Sequence, residues 1–270
     1  MLCLGRFEKK TQPVLNFCIA LSNFGILTKW GKSVIEGKIA IITGASRGVG
    51  KATAMALSKH GASVVLAART QNDLERVADE IQASGGKALV IRADVTLLDQ
   101  VQQLVNQTLD HYGKIDILIN NSGIGIFESV IDSDVESWNK VLDSNLKSVY
   151  LCSKAVLPPM FEQQSGQIIN ILSIASKVTF QFSSAYCAAK SAALAFTKVL
   201  REEIREHGIR VTAVLPGSIN SPFWAGMETH PDFDLMLTPE HIAQTIVNIV
   251  KSPRDMTIEE VTVTPPLGIL

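Results

Sequence analysis

From Gly37 onward, short continuous apolar runs alternate with longer stretches in which apolar residues recur every three or four positions. The runs predict strands over Lys38 to Thr43, Ser63 to Ala68, Ala88 to Arg92, Ile115 to Asn120, Gln167 to Leu172, Arg210 to Leu215 and Thr257 to Val263. The periodic stretches predict helices, among them Val49 to His60, Gln71 to Ser84 stopped by Gly85-Gly86, and Pro239 to Lys251. In the last of these Thr238 can cap and Pro239 takes the first helical position. Strands as uniformly apolar as Ile39-Ala40-Ile41-Ile42 are buried on both faces, as in a parallel sheet covered by helices. The pattern predicts an α/β fold, a doubly wound three-layer αβα sandwich with a seven-stranded, mainly parallel sheet.

The first 36 residues break this rhythm. Met1 to Lys10 carries basic residues and Val14 to Leu27 is mostly apolar. The apolar run is interrupted by Asn16, Ser22, Asn23 and Gly25, falls short of a spanning helix and has no small-residue cleavage pattern. Residues 1–36 are expected to be an N-terminal extension, disordered or loosely docked, and residues 37–270 a single domain. Hydrophobic residues at 46% and charged residues at 19% describe a folded globule and exclude a disordered chain. A formal net charge of −1 without a basic block argues against a nucleic-acid partner. Cys3, Cys18, Cys152 and Cys187 form no CxxC pair and no ligand cluster with the five histidines, so no metal is expected and a reducing, cytoplasmic setting fits.

The first strand runs through Thr43-Gly44-Ala45-Ser46-Arg47-Gly48-Val49-Gly50 into a helix. Glycines let the backbone turn tightly against a diphosphate, and the helix N-terminus offers free amides and a favourable dipole. The spacing is a relative of the GxGxxG fingerprint, and its place after a buried strand makes it a dinucleotide site in a Rossmann-like domain. The second strand ends in Ala68 and Arg69, with no carboxylate for ribose hydroxyls. Arg47 and Arg69 suit a 2′-phosphate and favour NADP(H) over NAD(H). Asp94, with Val95 beside it, is placed to accept from the adenine amino group or to cap the next helix. Asn121, Ser122 and Gly123 end the fourth strand in a close turn beside the cofactor, where asparagines can tie strands together.

Tyr186 and Lys190 lie four apart in a predicted helix and so share a face. A nearby ammonium favours the ionised phenol, and bringing a phenol from about 10 toward neutrality takes roughly 4 kcal/mol. Ser173 precedes Tyr186 by 13 residues, but Ser137, Tyr150 and Lys154 repeat the same spacing. Context separates the two sets. Ser173 follows an apolar strand that delivers it to the carboxyl edge of the sheet, where ligands bind, whereas Ser137 follows an acidic helix start.

TGASRGVG, Asp94, NNSG, Asn145, Ser173, YCAAK and Pro216-Gly217 occur in the order of the short-chain dehydrogenase/reductase family, which the chain resembles from about Gly37 to Leu270. Ser122 stands where that family usually has alanine. The resemblance implies that Tyr186 is the acid in ketone reduction and the base in alcohol oxidation, with Ser173 on the substrate oxygen. It implies that Lys190 lowers the Tyr186 pKa and holds the nicotinamide ribose, and that Asn145 anchors a water leading from Lys190 to solvent. It also implies that Pro216, Gly217, Ile219 and Ser221 cover the nicotinamide, Ile219 through its backbone. A homodimer or homotetramer, built on helices that include Trp138 to Leu157 and Ser184 to Glu206, is a further family expectation. The family's glycine-rich acidic ending is absent from Val261 to Leu270. The ending this chain has instead looks more like the branch acting on small hydroxy acids and varied carbonyls than like the ketoacyl reductases.

Phe223, Trp224, Met227, Phe233, Met236, Val178, Phe180, Phe182, Ile126 and Phe127 supply an apolar set for a substrate pocket or for packing, with His230 or Arg254 available to a carboxylate. The leading expectation is an NADPH-dependent carbonyl reductase acting on a ketone, with a 3-oxoacyl thioester or 3-oxo acid as possible substrate. Its rivals are an NADP-dependent dehydrogenase of a hydroxy acid, sugar or sterol-like alcohol, and a dinucleotide-sensing or scaffold protein without turnover.

Overall fold

The computed structural model describes residues 35–225 and 232–268. The expectation for an N-terminal extension therefore falls almost wholly outside the described residues, as do Cys3, Cys18, Met227 and His230.

Seven strands form one sheet in the order β3-β2-β1-β4-β5-β6-β7, every neighbouring pair parallel. They are β1 (Ile39–Thr43), β2 (Ser63–Ala68), β3 (Lys87–Arg92), β4 (Ile117–Asn120), β5 (Gly166–Ile171), β6 (Ile209–Pro216) and β7 (Glu260–Val263). The helices are α1 (Gly48–Lys59), α2 (Gln71–Ala83), α3 (Leu98–Tyr112), α4 (Val135–Leu142), α5 (Ser148–Gln163), α6 (Ser184–Ile204) and α7 (Pro239–Val250). As expected, Thr238 caps α7, accepting from the His241 N–H and donating its own N–H to His241 Nδ1. The strand order reverses between β1 and β4, and in open sheets of this kind the crevice at that reversal holds ligands.

The unbroken apolar strands divide their side chains between two cores. Ala40 and Ile42 join the layer formed with α1, α2 and α7, whereas Ile39 and Ile41 join the layer formed with α3, α5 and α6. A polar network crosses this interior between β4 and β5. Asn120 and Asn170 are paired in register on β4 and β5. The Asn120 Nδ2 donates to Ser153 Oγ at 3.1 Å and to Asn170 Oδ1 at 2.9 Å, and Asn170 Nδ2 donates to Thr197 Oγ1 at 2.8 Å.

Between α4 and α5 the chain does not break. Asp143–Lys147 forms a π-helical turn that carries Asn145, so the predicted long helix is one rod with a wide turn in it. The extra residue in such a turn leaves backbone carbonyls out of the regular ladder. Asn145 Nδ2 takes up one of them, donating to Val141 O at 2.9 Å and to Ile124 O at 2.8 Å.

Candidate active site

The glycine turn closes against the end of β4. Thr43 Oγ1 accepts the N–H of Asn121 at 2.9 Å and of Ser122 at 3.1 Å, and Asn121 Nδ2 donates to Thr43 O at 3.0 Å. Gly50 has no room for a side chain, since a Cβ there would fall 2.2 Å from the Gly44 carbonyl oxygen. Gly44 and Gly48 hold φ of +65° and +54°, which glycine adopts without strain. Arg47 is the N-cap of α1 and gives it no side-chain cap, so the first amides of this helix keep their donors for a ligand. These features fit a dinucleotide diphosphate.

At the neighbouring corner Arg47 and Arg69 are exposed and make no ion pair among the described residues. The sequence reading missed Arg92, which ends β3 beside Ala68 and donates through Nε to the Arg69 carbonyl at 3.0 Å. Its signal was the parallel register, which carries the last residue of β3 next to the last residue of β2. Asp94 is partly committed to its own loop, with Oδ1 accepting from Thr96 N–H at 3.0 Å and Thr96 Oγ1 at 2.7 Å. It does not cap α3, whose N-cap is Leu97. Val95 is buried in the second core, so its backbone alone can face a ligand.

On the other side of the crevice Gly123 stands against Asn145 and Lys190. A Cβ on Gly123 would fall 2.5 Å from Asn145 Oδ1 and 3.6 Å from Lys190 Nζ. Asn145 Oδ1 is buried without a partner among the described residues, an acceptor left over at the place where Lys190 brings donors. Gly48 faces Ser221, whose Oγ accepts the Phe223 N–H and caps the short turn Pro222–Trp224. Pro216 ends β6, and the Gly217 N–H donates to Val263 O at 2.8 Å. Ile219 gives its carbonyl to the Trp224 indole N–H at 2.8 Å, so the N–H is the side of its backbone open to a ligand.

Ser173 stands two residues beyond the end of β5, its hydroxyl beside the Tyr186 phenol, and its Oγ accepts the Ala175 N–H at 3.1 Å. Lys190 is buried on the next turn of α6, its Nζ donating to Ile171 O at 3.1 Å and lying 5.7 Å from the centre of the Tyr186 ring. Burial pushes the Tyr186 phenol up to about 12, and the neighbouring Ser173 hydroxyl only partly opposes it. Burial also pulls Lys190 down, to about 8. The ammonium is turned to the Ile171 carbonyl, one turn along the helix from the phenol. At neutral pH the pair is a neutral phenol beside a mostly charged ammonium.

Phe127 and Phe223 close the phenol side, with ring centres 5.8 and 5.7 Å from that of Tyr186 and 6.0 Å from each other. Phe180 and Phe182 face solvent, and Met236 is buried. Cys187 is buried, in keeping with a packing role. Arg254 belongs elsewhere. It lies with Ile209 at the opposite end of β6 from Pro216, so it cannot meet a substrate held at Tyr186.

A parallel sheet with this strand order, a glycine turn at its reversal and a Ser, Tyr and Lys grouping beyond it define a dinucleotide-type oxidoreductase. The family model described as short chain dehydrogenase matches residues 38–232, and the chain belongs to the short-chain dehydrogenase/reductase family. A similar curated protein is the 3-oxoacyl-[acyl-carrier-protein] reductase of Synechocystis, 37% identical over 227 residues that cover 82% of this chain and 92% of that one. Among solved structures, a metagenomic short-chain oxidoreductase in complex with NADP is 33% identical with a TM-score of 0.77, over 86% of this chain and 99% of that one. An alcohol dehydrogenase from Thermococcus sibiricus complexed with 5-hydroxy-NADP is 27% identical with a TM-score of 0.80, over 86% and 97%. The chain is thus an oxidoreductase. No helix among the described residues is long and apolar enough to cross a membrane.

Proposed function

We propose that the protein is an NADPH-dependent carbonyl reductase whose substrates are ketones of the 3-oxoacyl thioester or 3-oxo acid class. The observation that carries this reading is the grouping of the half-buried Tyr186 phenol, which burial holds in its protonated form, with Ser173 just beyond β5 and the buried Lys190 ammonium one turn along. A phenol held protonated is an acid, which suits reduction better than oxidation at neutral pH.

When bound, the nicotinamide supplies the hydride. Tyr186 gives its proton to the substrate oxygen, and the Ser173 hydroxyl donates a hydrogen bond to the same oxygen as charge develops there. The Lys190 ammonium steadies the phenolate left behind, and the spare Asn145 Oδ1 receives a donor on the route by which the proton is replaced. Gly44, Ser46, Arg47, Gly48, Val49 and Gly50 hold the diphosphate. Asp94, Val95, Asn121, Ser122 and Gly123 line the adenosine and ribose side, and Pro216, Gly217, Ile219 and Ser221 the nicotinamide side. Arg47 and Arg69 select the 2′-phosphate, and two relatives solved with NADP-type ligands support that preference. The Synechocystis reductase and the apolar rings of Phe127 and Phe223 support a 3-oxoacyl substrate. A homodimer or homotetramer through α5 and α6 accompanies this reading, supported by the exposed Tyr150 and Val199 on those helices, and light scattering at micromolar concentration tests it.

The test is NADPH and NADH oxidation by wild type and Tyr186→Phe with acetoacetyl thioesters, 3-oxo esters, other ketones and aldehydes. NADPH turnover with 3-oxo substrates that disappears in Tyr186→Phe, while NADPH still binds, supports the proposal. Turnover confined to non-3-oxo carbonyls overturns the substrate class, and a tenfold NADH preference overturns the cofactor.

A further inference from the structure

At the edge of the sheet opposite Tyr186, four arginines converge. Arg201 and Arg205 are four apart and share a face at the end of α6, Gly208 turns the chain with a φ of +66°, Arg210 is the second residue of β6, and Arg254 lies in the loop after α7. Together with Ile209 and Thr257 they line a cleft of about 120 Å³.

Two carboxylates, Glu202 and Glu259, pair with these arginines. Arg201 is buried, donating through Nε to Val211 O at 2.9 Å and through Nη2 and Nη1 to the carbonyl and carboxylate of Glu259 at 2.6 and 3.2 Å. Arg205 Nη2 donates to Glu202 Oε1 at 2.5 Å and Glu259 Oε1 at 3.5 Å. Glu202 and Glu259 thus answer two guanidiniums. Arg210 spends one nitrogen, Nη1, on Ser252, Pro253 and Met256, which leaves Nε and Nη2 without acceptors among the described residues. Arg254 makes no hydrogen bond or ion pair among the described residues, and its charge, after burial, pulls Arg210 down. The negative end of α6 accounts for Arg201 and Arg205. Holding the 252–256 loop accounts for Arg210. Neither accounts for Arg254, which lines the cleft beside Arg210 and makes no ion pair among the described residues.

We propose that this cleft is a second anion site, taking a phosphate dianion either free or as the monoester of a small metabolite. Guanidinium forks match phosphate oxygens in pairs, and two of them stand here with donors to spare. The site is separate from the reaction, since β6 runs its full length between it and Pro216. Glu259 is the internal competitor, the carboxylate that an incoming anion displaces from Arg205.

Isothermal titration of the full chain with inorganic phosphate, and separately with glycerol 3-phosphate, at constant ionic strength tests the proposal. Wild type should bind saturably at millimolar concentration or below. Arg254→Ala, at an exposed position without partners, should weaken binding about tenfold with unchanged near-ultraviolet dichroism and unchanged turnover. Glu259→Gln should tighten it several-fold, the reverse of what loss of a purely structural ion pair would do. Tighter binding of glycerol 3-phosphate would make the occupant a monoester, and equal or weaker binding would make it free phosphate. No saturable binding, or binding that Arg254→Ala leaves unchanged because the phosphate sits in the glycine turn, overturns the proposal.

Discussion

Two tyrosine and lysine pairs in this chain share a spacing and differ in almost everything else. On α5, Lys154 Nζ donates to the Tyr150 hydroxyl at 3.2 Å and lies 5.6 Å from its ring centre. On α6, Lys190 lies 5.7 Å from the ring of Tyr186 but turns its donor to Ile171 O. The surface pair makes the more direct contact, and yet it has no chemistry around it. Tyr150 is 42% exposed and edge-on to Phe196. Its Ser137 is engaged with Asp134, capping α4. The α6 pair sits where a strand end, a π-helical turn and a glycine turn meet. A shared helical face is cheap for any helix to provide, and the convergence of other elements on that face is what makes a site.

The sharpest way to break this comparison is to remove the two hydroxyls in turn. Tyr186→Phe should lower kcat with NADPH and a 3-oxo substrate by about a thousandfold, in the range for loss of a positioned acid, while Tyr150→Phe stays within about twofold. Comparable losses in both would mean that the burial argument chose the wrong pair.

Stability against pH separates the buried lysine next. Its pKa is about 8 folded against an ordinary 10.5, so between those values the unfolded chain binds the extra proton and stability rises with pH. Tyr186, at about 12 against 10.0, acts in the opposite sense above pH 10. Lys190→Met should remove a rise worth up to about 3 kcal/mol between pH 8 and 10 in urea titrations. An unchanged profile would show that Lys190 does not titrate in that window. Smaller still, Arg69→Ala should raise KM for NADPH about tenfold and leave that for NADH unchanged. A parallel rise for both cofactors would move the 2′-phosphate away from Arg69. The smallest effect belongs to Lys154→Met, for which turnover should match wild type.

Much of this arrangement was legible in the chain. Runs such as Ile39 to Ile42 and the glycine turn depend on local physics, burial on both faces and a backbone that only glycine accepts, and both are visible in single residues. Ser173 was separable from Ser137 because the residues before each announce a strand or a helix. What the chain did not reveal was orientation. Lys190 prefers a carbonyl at the end of β5, and Asp94 turns back on Thr96, because each finds a partner set by tertiary approach. The π-helical turn at Asn145 leaves the apolar spacing on either side intact, so no period betrays it. Arg92 enters only through the parallel register of β2 and β3, and the arginine cleft only through the meeting of α6, β6 and the loop after α7.

The paired asparagines at the heart of the sheet have a consequence of their own. β4 is four residues long and apolar except at its end, so a slide of two residues against β5 would keep every side chain on its proper face and cost the hydrophobic layers little. It would also separate Asn120 from Asn170, leaving the Asn120 Nδ2 and the Asn170 Oδ1 without each other among aliphatic side chains, at about 1–3 kcal/mol for each group left unmade. The pair therefore acts as an alignment key. Asn121 and Ser173 leave the ends of these two strands, so the distance between the dinucleotide crevice and the reacting hydroxyls is decided in the interior, by two amides that touch neither.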